Sequence, residues 1–352
     1  MVTHVNVRPA QSTVALWVGC YTRDMGGVGH GVLALGRDMV GGYVPLEPPS
    51  PADSPSFLAL HPTLPVIYAV AEGAGTVVAR THDAHGQLLR LGTDVVVGSM
   101  PCHVAVDATG KFLVACCWGD GAVAVVELEP DGSLGHVHLG ESSSDPYAQG
   151  RPTRAHASLM LGQGQFVTSD IGHDLLRMWR FSEAAGLEPT GTEMLPLGSG
   201  PSHFARSAQG LVCVVTEYTA ELAIVCPVRR GSEIFGLELQ TMLPASERGL
   251  QPGDAAAEVC LDRSQRRMYV GIRGSNRICT LGVGDGGRLT PLAETDCGGD
   301  WPRNHCLHDG RLVVALERSS AIATFELDRN GVPVQPPRTL AVGSPTHVLP
   351  AI

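Results

Sequence analysis

Lysine is almost absent from this sequence, which has one lysine, Lys111, among 25 basic residues. Lys111 follows Thr109 and Gly110 in a predicted turn, where water would surround its ammonium group. A lysine that forms a Schiff base needs a desolvated pocket or a neighbouring cation that lowers its pKa. The sequence therefore argues against an enzyme that uses a Schiff-base lysine.

Positive charge is scarce in general, since 35 acidic residues give the chain a formal net charge of −10. Nucleic acids and anionic membranes attract proteins through basic patches, which this balance disfavours. No apolar run reaches the roughly 18 residues of a membrane span, and the N-terminus lacks the features of a signal peptide. We therefore expect a cytoplasmic protein that binds neither nucleic acid nor membrane.

The ten cysteines include no CxxC pair. Several of them, such as Cys116, Cys213 and Cys279, lie within apolar runs, where free cysteine behaves as a small buried hydrophobe. A chain of 352 residues buries enough core to fold without disulfides. We expect free thiols and a reducing compartment.

Amphipathic helical stripes of ten or more residues are also missing. Short runs rich in valine and alanine alternate instead with turns drawn from 43 glycines and 25 prolines. In residues 198–225, for example, a Gly-Pro turn precedes a run from His203, and a second run ends at Glu217. Such short connections join antiparallel strands, so His203 and Glu217 are predicted to share one edge of a sheet.

The same unit recurs along the chain, with starts at residues 57, 103, 156, 203, 258 and 305, which are 46 to 55 residues apart. Repeats of this length with several short strands are typical of a β-propeller. Residues 344–349 match the beginning of a seventh unit, and residues 14–21 match its second strand. We predict an all-β, seven-bladed propeller with four-stranded antiparallel blades, closed by pairing the N- and C-terminal strands in one blade.

This architecture makes residues 1–352 a single domain, in which residues 1–12 are a flexible N-terminal extension. The connections near residues 138–152 and 243–256 are predicted to be loops on a rim. Since a closed ring has no free sheet edge, a monomer is expected.

In a propeller the first strand of each blade lines the axis, so strand starts and second-strand ends gather around one funnel. The candidate site residues at these positions are His103, His156, His203, His305, His347, Glu72, Trp118, Asp170, Glu217, Arg273, Glu317, Arg154 and Arg303. Arginine binds carboxylate or phosphate in bidentate fashion, and imidazole transfers protons near neutral pH. These residue types predict a site for an anionic small molecule. A one-residue error in register would turn a side chain away from the funnel.

No cofactor is implied, because nucleotide-binding and nucleophile-elbow motifs are missing from the sequence. The pairs His136 with His138 and His82 with His85 have the spacing of metal ligands but fall in predicted outer strands or loops. The funnel is rich in His and Arg rather than in the carboxylates and amides that Ca²⁺ prefers. We expect no metal site.

Several passages resemble the lactonase family of seven-bladed propellers, which includes propeller-type 6-phosphogluconolactonases and carboxymuconate lactonising enzymes. They are FLALHPTLPVIYAVAE, PCHVAVDATGKFLVACCW, GPSHFARSAQGLVCVVTE, AAAEVCLDRSQRRMYVGIRG and GGDWPRN. The resemblance covers nearly the whole chain. It implies a funnel site to which His156, Glu217, Arg273, Arg303, His103 and His203 correspond.

One position departs from the family pattern, since Ser202 stands where the family has arginine in Gly-Pro-Arg-His. Arg154 could supply the missing charge from a neighbouring blade. The main hypothesis is an enzyme that opens or closes a lactone ring on an anionic or sugar-derived molecule. His156, Glu217 and Arg273 would be catalytic, and His103, His203, Arg303, Ser202, Arg154, Glu72, Trp118 and Asp170 would bind the substrate. The alternatives are a diverged enzyme of specialised metabolism and a non-catalytic binding propeller.

Overall fold

A computed structural model describes residues 13–39, 41–208, 210–231, 233–284 and 287–351. Within these residues the strands form seven antiparallel sheets, and helical structure is limited to short 3₁₀ turns such as Arg23–Met25. The predicted all-β propeller with seven blades is therefore confirmed. The predicted N-terminal extension, residues 1–12, lies outside the described residues.

Each sheet is one blade, and the strands of a blade follow one another in the chain. Blade 1 contains β1 (Leu16–Cys20), β2 (Leu33–Arg37) and β3 (Tyr43–Pro45). Blade 2 contains β4 (Leu58–Leu60), β5 (Val66–Ala71), β6 (Thr76–His82), β7 (Leu88–Arg90) and β8 (Val95–Val96). Blade 3 contains β9 (Pro101–Val106), β10 (Phe112–Cys117), β11 (Val123–Leu128) and β12 (Leu134–Leu139). Blades 4 and 5 consist of β13 (Ala155–Gly162), β14 (Gln165–Asp170), β15 (Leu175–Ser182), β16 (Gly186–Met194); and β17 (Pro201–Arg206), β18 (Val212–Thr216), β19 (Glu221–Arg230), β20 (Glu233–Pro244). Blades 6 and 7 consist of β21 (Ala255–Leu261), β22 (Arg267–Arg273), β23 (Arg277–Val283), β24 (Leu289–Asp296); and β25 (Pro302–His308), β26 (Arg311–Leu316), β27 (Ala321–Glu326), β28 (Arg338–Ala341). The last strand, β29 (Pro345–Pro350), belongs to blade 1.

Blade 2 differs from the prediction of four strands per blade, because β8 adds a fifth strand that pairs with β6 beside β7. The other six sheets have four strands each. The inner strands β4, β9, β13, β17, β21, β25 and β29 contact one another in a closed ring. The first strand of each repeat unit thus lines the axis, as predicted.

The ring is closed by the two ends of the chain. Strand β29 pairs with β1, with Leu16 opposite Pro350 and Val18 opposite Val348. An open ring would leave two rows of unpaired backbone groups, and this pairing removes both edges. The predicted closure through the terminal strands is confirmed.

The blades pack through the apolar faces of their second strands. Strands β5, β10 and β14 are buried at every residue. Tyr68 and Tyr269 are fully buried second-strand residues, and each donates its hydroxyl to a turn carbonyl of the next blade, at Gly132 (2.8 Å) and Gly331 (2.7 Å). Burial of these faces stabilises the ring by about 25 cal/mol per Å² of apolar surface removed from water.

Most inner strands begin with a β-bulge. In blade 7, Pro302 pairs with Leu316 and Asn304 with Ala315, so Arg303 is the extra residue. Register shifts of this kind also occur near the starts of β9, β13, β17, β21 and β29. A bulge interrupts the alternation of side chains and re-aims them. It therefore decides which residues face the axis.

The end of each second strand is held against the entry to the inner strand. The N–H groups of Glu72, Glu217 and Glu317 donate to the carbonyls of Ser54 (3.2 Å), Gly200 (2.7 Å) and Trp301 (3.1 Å). These hydrogen bonds gather the predicted acidic residues at one end of the axis. His203 and Glu217 accordingly lie on one rim.

The two predicted rim loops occupy residues 140–154 and 245–254, between regular strands. In the first loop, Arg151 forms ion pairs with Asp145 (2.8 Å) and with the buried Asp174. The described part of the chain contains no helix with the length and apolar character of a membrane span.

Candidate active site

A cavity opens at the end of the axis where the inner strands begin, and every blade contributes to it. Its lining consists of Ser56, Phe57, Cys102, His156, His203, Glu217, Ala257, Arg273, Arg303, Asn304 and Thr346. Five of these residues were singled out from the sequence: His156, His203, Glu217, Arg273 and Arg303. Two of them, His156 and Arg303, lie at bulges that turn them toward the axis, and so does Cys102 of the lining.

Glu217 and Arg273 form an ion pair in this cavity, with 2.8 Å between Arg273 Nη2 and Glu217 Oε2. The side chains retain 19% and 10% of their surface exposed, respectively. Arg273 also donates to the backbone carbonyl of Ala256 at 3.2 Å, and its guanidinium lies 5.4 Å from the ring centre of Trp301. These contacts hold a carboxylate and a guanidinium side by side in a mostly buried setting.

Arg303 is the second cation of the cavity, and oxygen atoms from three blades surround it. It donates to the Tyr21 hydroxyl at 2.6 Å and approaches Glu317 at 3.4 Å. Tyr21 in turn donates to Glu72 at 3.3 Å. Burial opposes the charge of Arg303, but Tyr21, Glu317 and Glu72 outweigh this effect and raise its pKa. Arg303 therefore keeps its positive charge inside the cavity.

Glu72 belongs to the same network, since it accepts a hydrogen bond from the hydroxyl of Ser56. Burial raises the pKa of Glu72, while Arg303, Ser56 and Tyr21 partly offset the increase. Two carboxylates, Glu72 and Glu317, thus flank one guanidinium. Their negative charge limits how strongly Arg303 attracts a further anion.

The histidines of the cavity are neutral at pH 7. The His156 and His203 rings meet edge to face at 5.0 Å, and Nδ1 of His156 has no hydrogen-bond partner in the described part of the chain. Burial lowers the pKa of His156 to about 3, with smaller effects from Arg303 and Arg273. Burial also lowers the pKa of His203, as do the neighbouring histidines. A neutral imidazole is able to accept a proton.

Two further histidines pack behind the cavity against Phe57. The Phe57 ring lies 3.8 Å from that of His347 and 4.3 Å from that of His103. Burial lowers the pKa of both histidines to about 3. Nδ1 of His347 accepts a hydrogen bond from the Leu58 N–H at 3.2 Å, which gives this ring a structural partner.

Four remaining candidates lie at the edge of the cavity or behind it. The Arg154 guanidinium lies 3.9 Å above the Trp118 ring and donates to the carbonyls of Trp118 and Gly119, so the two form a stack on the rim. The carboxylate of Asp170 accepts from Thr153, from Ser143 and from the backbone N–H groups of Arg154, Gly172 and His173. Ser202 is fully buried and donates its hydroxyl to the carbonyl of Val215 at 3.2 Å, within its own blade.

His305 is buried below the cavity, where its Nε2 lies 3.2 Å from the carbonyl oxygen of Tyr269. Its Nδ1 lacks a hydrogen-bond partner among the described residues. Burial lowers the pKa of His305 to about 4. His305 is therefore buried in neutral form, like His103, His156 and His347.

Tyr21, Glu258 and Asn304 contribute to the site although sequence analysis did not select them. Tyr21 directly follows the second strand of blade 1, as Glu72 follows that of blade 2, so the repeat pattern contained its signal. Glu258 lies 3.7 Å from His203 and accepts a hydrogen bond from Asn304. This contact joins residues of three blades, and no local pattern in the sequence points to it.

No metal site appears among the described residues, since no group of three or more His, Cys, Asp or Glu side chains has suitable geometry. His138 is paired with Glu127 at 2.7 Å in an outer strand, and its ring lies 4.6 Å from that of His136. All ten cysteines are free.

Comparison with known proteins agrees with this architecture. The family model of the lactonases with a seven-bladed β-propeller matches residues 15–350. The chain therefore belongs to this lactonase family.

Among its relatives is the 6-phosphogluconolactonase of Bacillus subtilis strain 168, which is 25% identical over 308 residues. That alignment covers 84% of this chain and 86% of the relative. The periplasmic gluconolactonase of Pseudomonas aeruginosa has a similar structure, with a TM-score of 0.88, 21% identity and coverage of 97% and 99% of the two chains. A protein from Lactobacillus plantarum superposes with a TM-score of 0.85 at 18% identity, covering 97% of this chain and 100% of its own. At these identities the structural matches establish the fold.

Proposed function

We propose that this protein hydrolyses a lactone ring on an anionic or sugar-derived small molecule. The observation that carries the proposal is the meeting of His156, Glu217, Arg273 and Arg303 in one cavity of a lactonase-family propeller. The name of the Bacillus subtilis relative supports a sugar lactone as the substrate class.

In this proposal His156 is the general base. It is neutral, and the free Nδ1 has no competing partner among the described residues. His156 takes a proton from water while the hydroxide adds to the lactone carbonyl. A substrate anion beside Arg273 and Arg303 would cancel part of the positive charge near His156 and raise its pKa toward a useful value.

Arg273 and Arg303 stabilise the negative oxygen that develops as the carbonyl carbon becomes tetrahedral. Both cations are held by carboxylates before substrate arrives, so little reorganisation is needed at the moment of reaction. Glu217 keeps Arg273 in place and orients the attacking water. When the bond between the acyl carbon and the ring oxygen breaks, the ring oxygen takes up a proton and a hydroxy acid results.

A second candidate is a diverged enzyme that catalyses a different reaction, including ring closure in place of ring opening. It is favoured by Ser202, which stands where the family resemblance places arginine. The charge of that arginine is missing, and the buried hydroxyl of Ser202 does not replace it. Such an enzyme would keep the cavity but accept a different substrate.

The test is to measure acid release from δ-lactones of aldonic acids, with and without a terminal phosphate. We expect wild type to hydrolyse at least one of them, and His156→Ala to lower kcat by about 10²- to 10⁴-fold. Arg273→Ala and Glu217→Ala should lower kcat/KM as well, whereas the exposed Glu188→Ala serves as a control. A wild-type protein that hydrolyses none of these lactones would contradict the proposal and favour the diverged enzyme.

A further inference from the structure

Glu258, in β21, is a largely buried acid that the proposed chemistry does not yet use. Its Oε2 lies 3.7 Å from Nδ1 of His203 in β17. The side-chain amide of Asn304, in β25, donates to the same oxygen, and the Val259 N–H donates to Oε1 at 3.0 Å. Three neighbouring blades thus hold one carboxyl group next to a histidine of the cavity.

Glu258 differs from Glu217 and Glu317 because it has no arginine partner in the described part of the chain. Glu217 is paired with Arg273, and Glu317 with Arg303. The titratable groups around Glu258 are His203 and the thiols of Cys260 and Cys306. Burial raises its pKa to about 8, against smaller opposing effects of Val259 and Asn304. At neutral pH this side chain is therefore a carboxylic acid with a proton to donate.

His203 connects this acid to the reacting centre. It lines the cavity, and its ring lies against that of His156. His203 and Glu258 keep 14% and 13% of their side-chain surfaces exposed. A separation of 3.7 Å is longer than a hydrogen bond, and such contacts often shorten when substrate binds.

We propose that Glu258 is a positioning residue that acts through His203, and that His203 donates the proton taken up by the ring oxygen of the lactone. This inference rests on the proposed lactonase function. It divides the proton transfers between two histidines, with His156 as the base toward water and His203 as the acid toward the leaving oxygen.

The proton transfers balance over one turnover. His156 removes a proton from water as the new bond to the acyl carbon forms. As the bond between the acyl carbon and the ring oxygen breaks, that oxygen takes a proton from Nε2 of His203, and His203 takes one at Nδ1 from Glu258. The cycle leaves a protonated His156, a His203 with its proton on Nδ1 and an ionised Glu258. His156 then returns a proton to Nε2 of the adjacent His203 ring while Nδ1 of His203 returns one to Glu258, which restores all three groups.

Loss of the acid should slow lactones with an alkoxide leaving group much more than lactones with a phenolate leaving group. An aliphatic alkoxide is a strong base and leaves slowly without an acid, whereas a phenolate leaves readily. Glu258→Gln keeps the size and polarity of the side chain but has no proton to transfer. We expect it to lower kcat about 100-fold for a δ-lactone of an aldonic acid and less than about threefold for an aromatic lactone with a phenolic ring oxygen.

Two further measurements keep the test independent of folding defects. In the double variant Glu258→Gln/His203→Gln, kcat should equal that of His203→Gln, because Glu258 acts only through His203. Difference infrared spectra of wild type and Glu258→Gln should show the carbonyl stretch of a protonated carboxylic acid at pH 7. The exposed Glu188→Gln is the matched control for both the kinetics and the spectra.

The outcomes distinguish this inference from the function on which it rests. A wild type that hydrolyses neither lactone overturns both proposals. An active wild type with a Glu258→Gln variant that slows both lactones equally, or additive effects in the double variant, overturns the inference alone. The absence of a protonated carboxyl at pH 7 does the same.

Discussion

At the scale of single residues, the Glu217–Arg273 pair decides how much charge the cavity holds. Each side chain neutralises the other while both are largely removed from water. Removing one member of a buried pair leaves an uncompensated charge, which costs more than the net contribution of the pair itself. The Glu217–Arg273 pair therefore contributes to the stability of the fold as well as to the charge of the cavity.

Replacing Glu217 by Gln should therefore destabilise the protein by about 2 to 4 kcal/mol, since Arg273 loses its partner. The double variant Glu217→Gln/Arg273→Gln should recover part of this loss. Urea unfolding of the wild type, both single variants and the double variant measures the coupling. Additive effects of the two substitutions would contradict a buried interacting pair.

Ser202 is a second residue whose surroundings lead to a prediction. Its side chain is fully buried, and its carbonyl also accepts a hydrogen bond from Ser169 at 2.6 Å. Ser202→Arg places a charged side chain at a position that is fully removed from water, so a loss of more than about 3 kcal/mol is expected. Ser202→Ala loses only one hydrogen bond and should cost about 1 kcal/mol. A stable Ser202→Arg protein in urea unfolding would show that this side chain reaches the cavity.

At the scale of elements, the entry to each inner strand determines where the funnel residues point. Several of these entries use a residue in the left-handed region directly before proline, such as Trp301 (φ 67°) before Pro302 and Gly200 (φ 64°) before Pro201. Such a backbone turns the chain sharply into the strand. It also places the carbonyl that receives the N–H of Glu217 or Glu317.

Substitution of Gly200 tests whether the entry to the inner strand β17 needs this backbone conformation and its close packing. A Cβ atom at Gly200 would lie 2.5 Å from the ring of Tyr218, whereas one at Gly198 (φ 78°) meets nothing within 4 Å. Gly198→Ala should cost about 1 to 2 kcal/mol for its backbone conformation alone. Gly200→Ala should cost measurably more, because Tyr218 must also move. Equal losses in thermal or urea unfolding of the two variants would contradict the packing of Tyr218 at the rim.

At the scale of the whole molecule, the buried histidines couple stability to pH. Burial lowers the pKa of His103, His156 and His347 to about 3 and that of His305 to about 4, from 6.5. The unfolded chain therefore binds more protons than the folded chain below pH 6.5. The stabilising contribution of these histidines is complete above pH 6.5 and is lost as the pH falls toward 3.

Unfolding free energy should decrease steeply between pH 6.5 and 5, by about 1.4 kcal/mol per pH unit for each such histidine. Glu258 acts in the opposite direction, because its raised pKa favours the folded state as the pH falls from 8 to 4.5. Urea unfolding across this range measures the slope, and His305→Gln should reduce it by about one proton. A stability that does not change between pH 7 and 5 would exclude buried neutral histidines.

Much of the architecture was determined by the sequence alone. Repeats of 46 to 55 residues, alternating valine-rich runs and two matching chain ends predict seven blades and their closure. These features are local, or depend on spacing, and the burial of apolar faces follows from them. For the same reason the structure holds the second-strand ends Glu72 and Glu217 against the entries of the inner strands.

Only the tertiary structure decided which side chains face the cavity. Each bulge adds one residue and breaks the twofold alternation, so His156 and Arg303 line the cavity while Ser202, at a similar position, donates into its own blade. The neighbours of Glu258 come from blades 5 and 7, and Tyr21 of blade 1 contacts Arg303 of the adjacent blade 7. Such contacts depend on how the blades are arranged around the axis, which no local sequence pattern specifies.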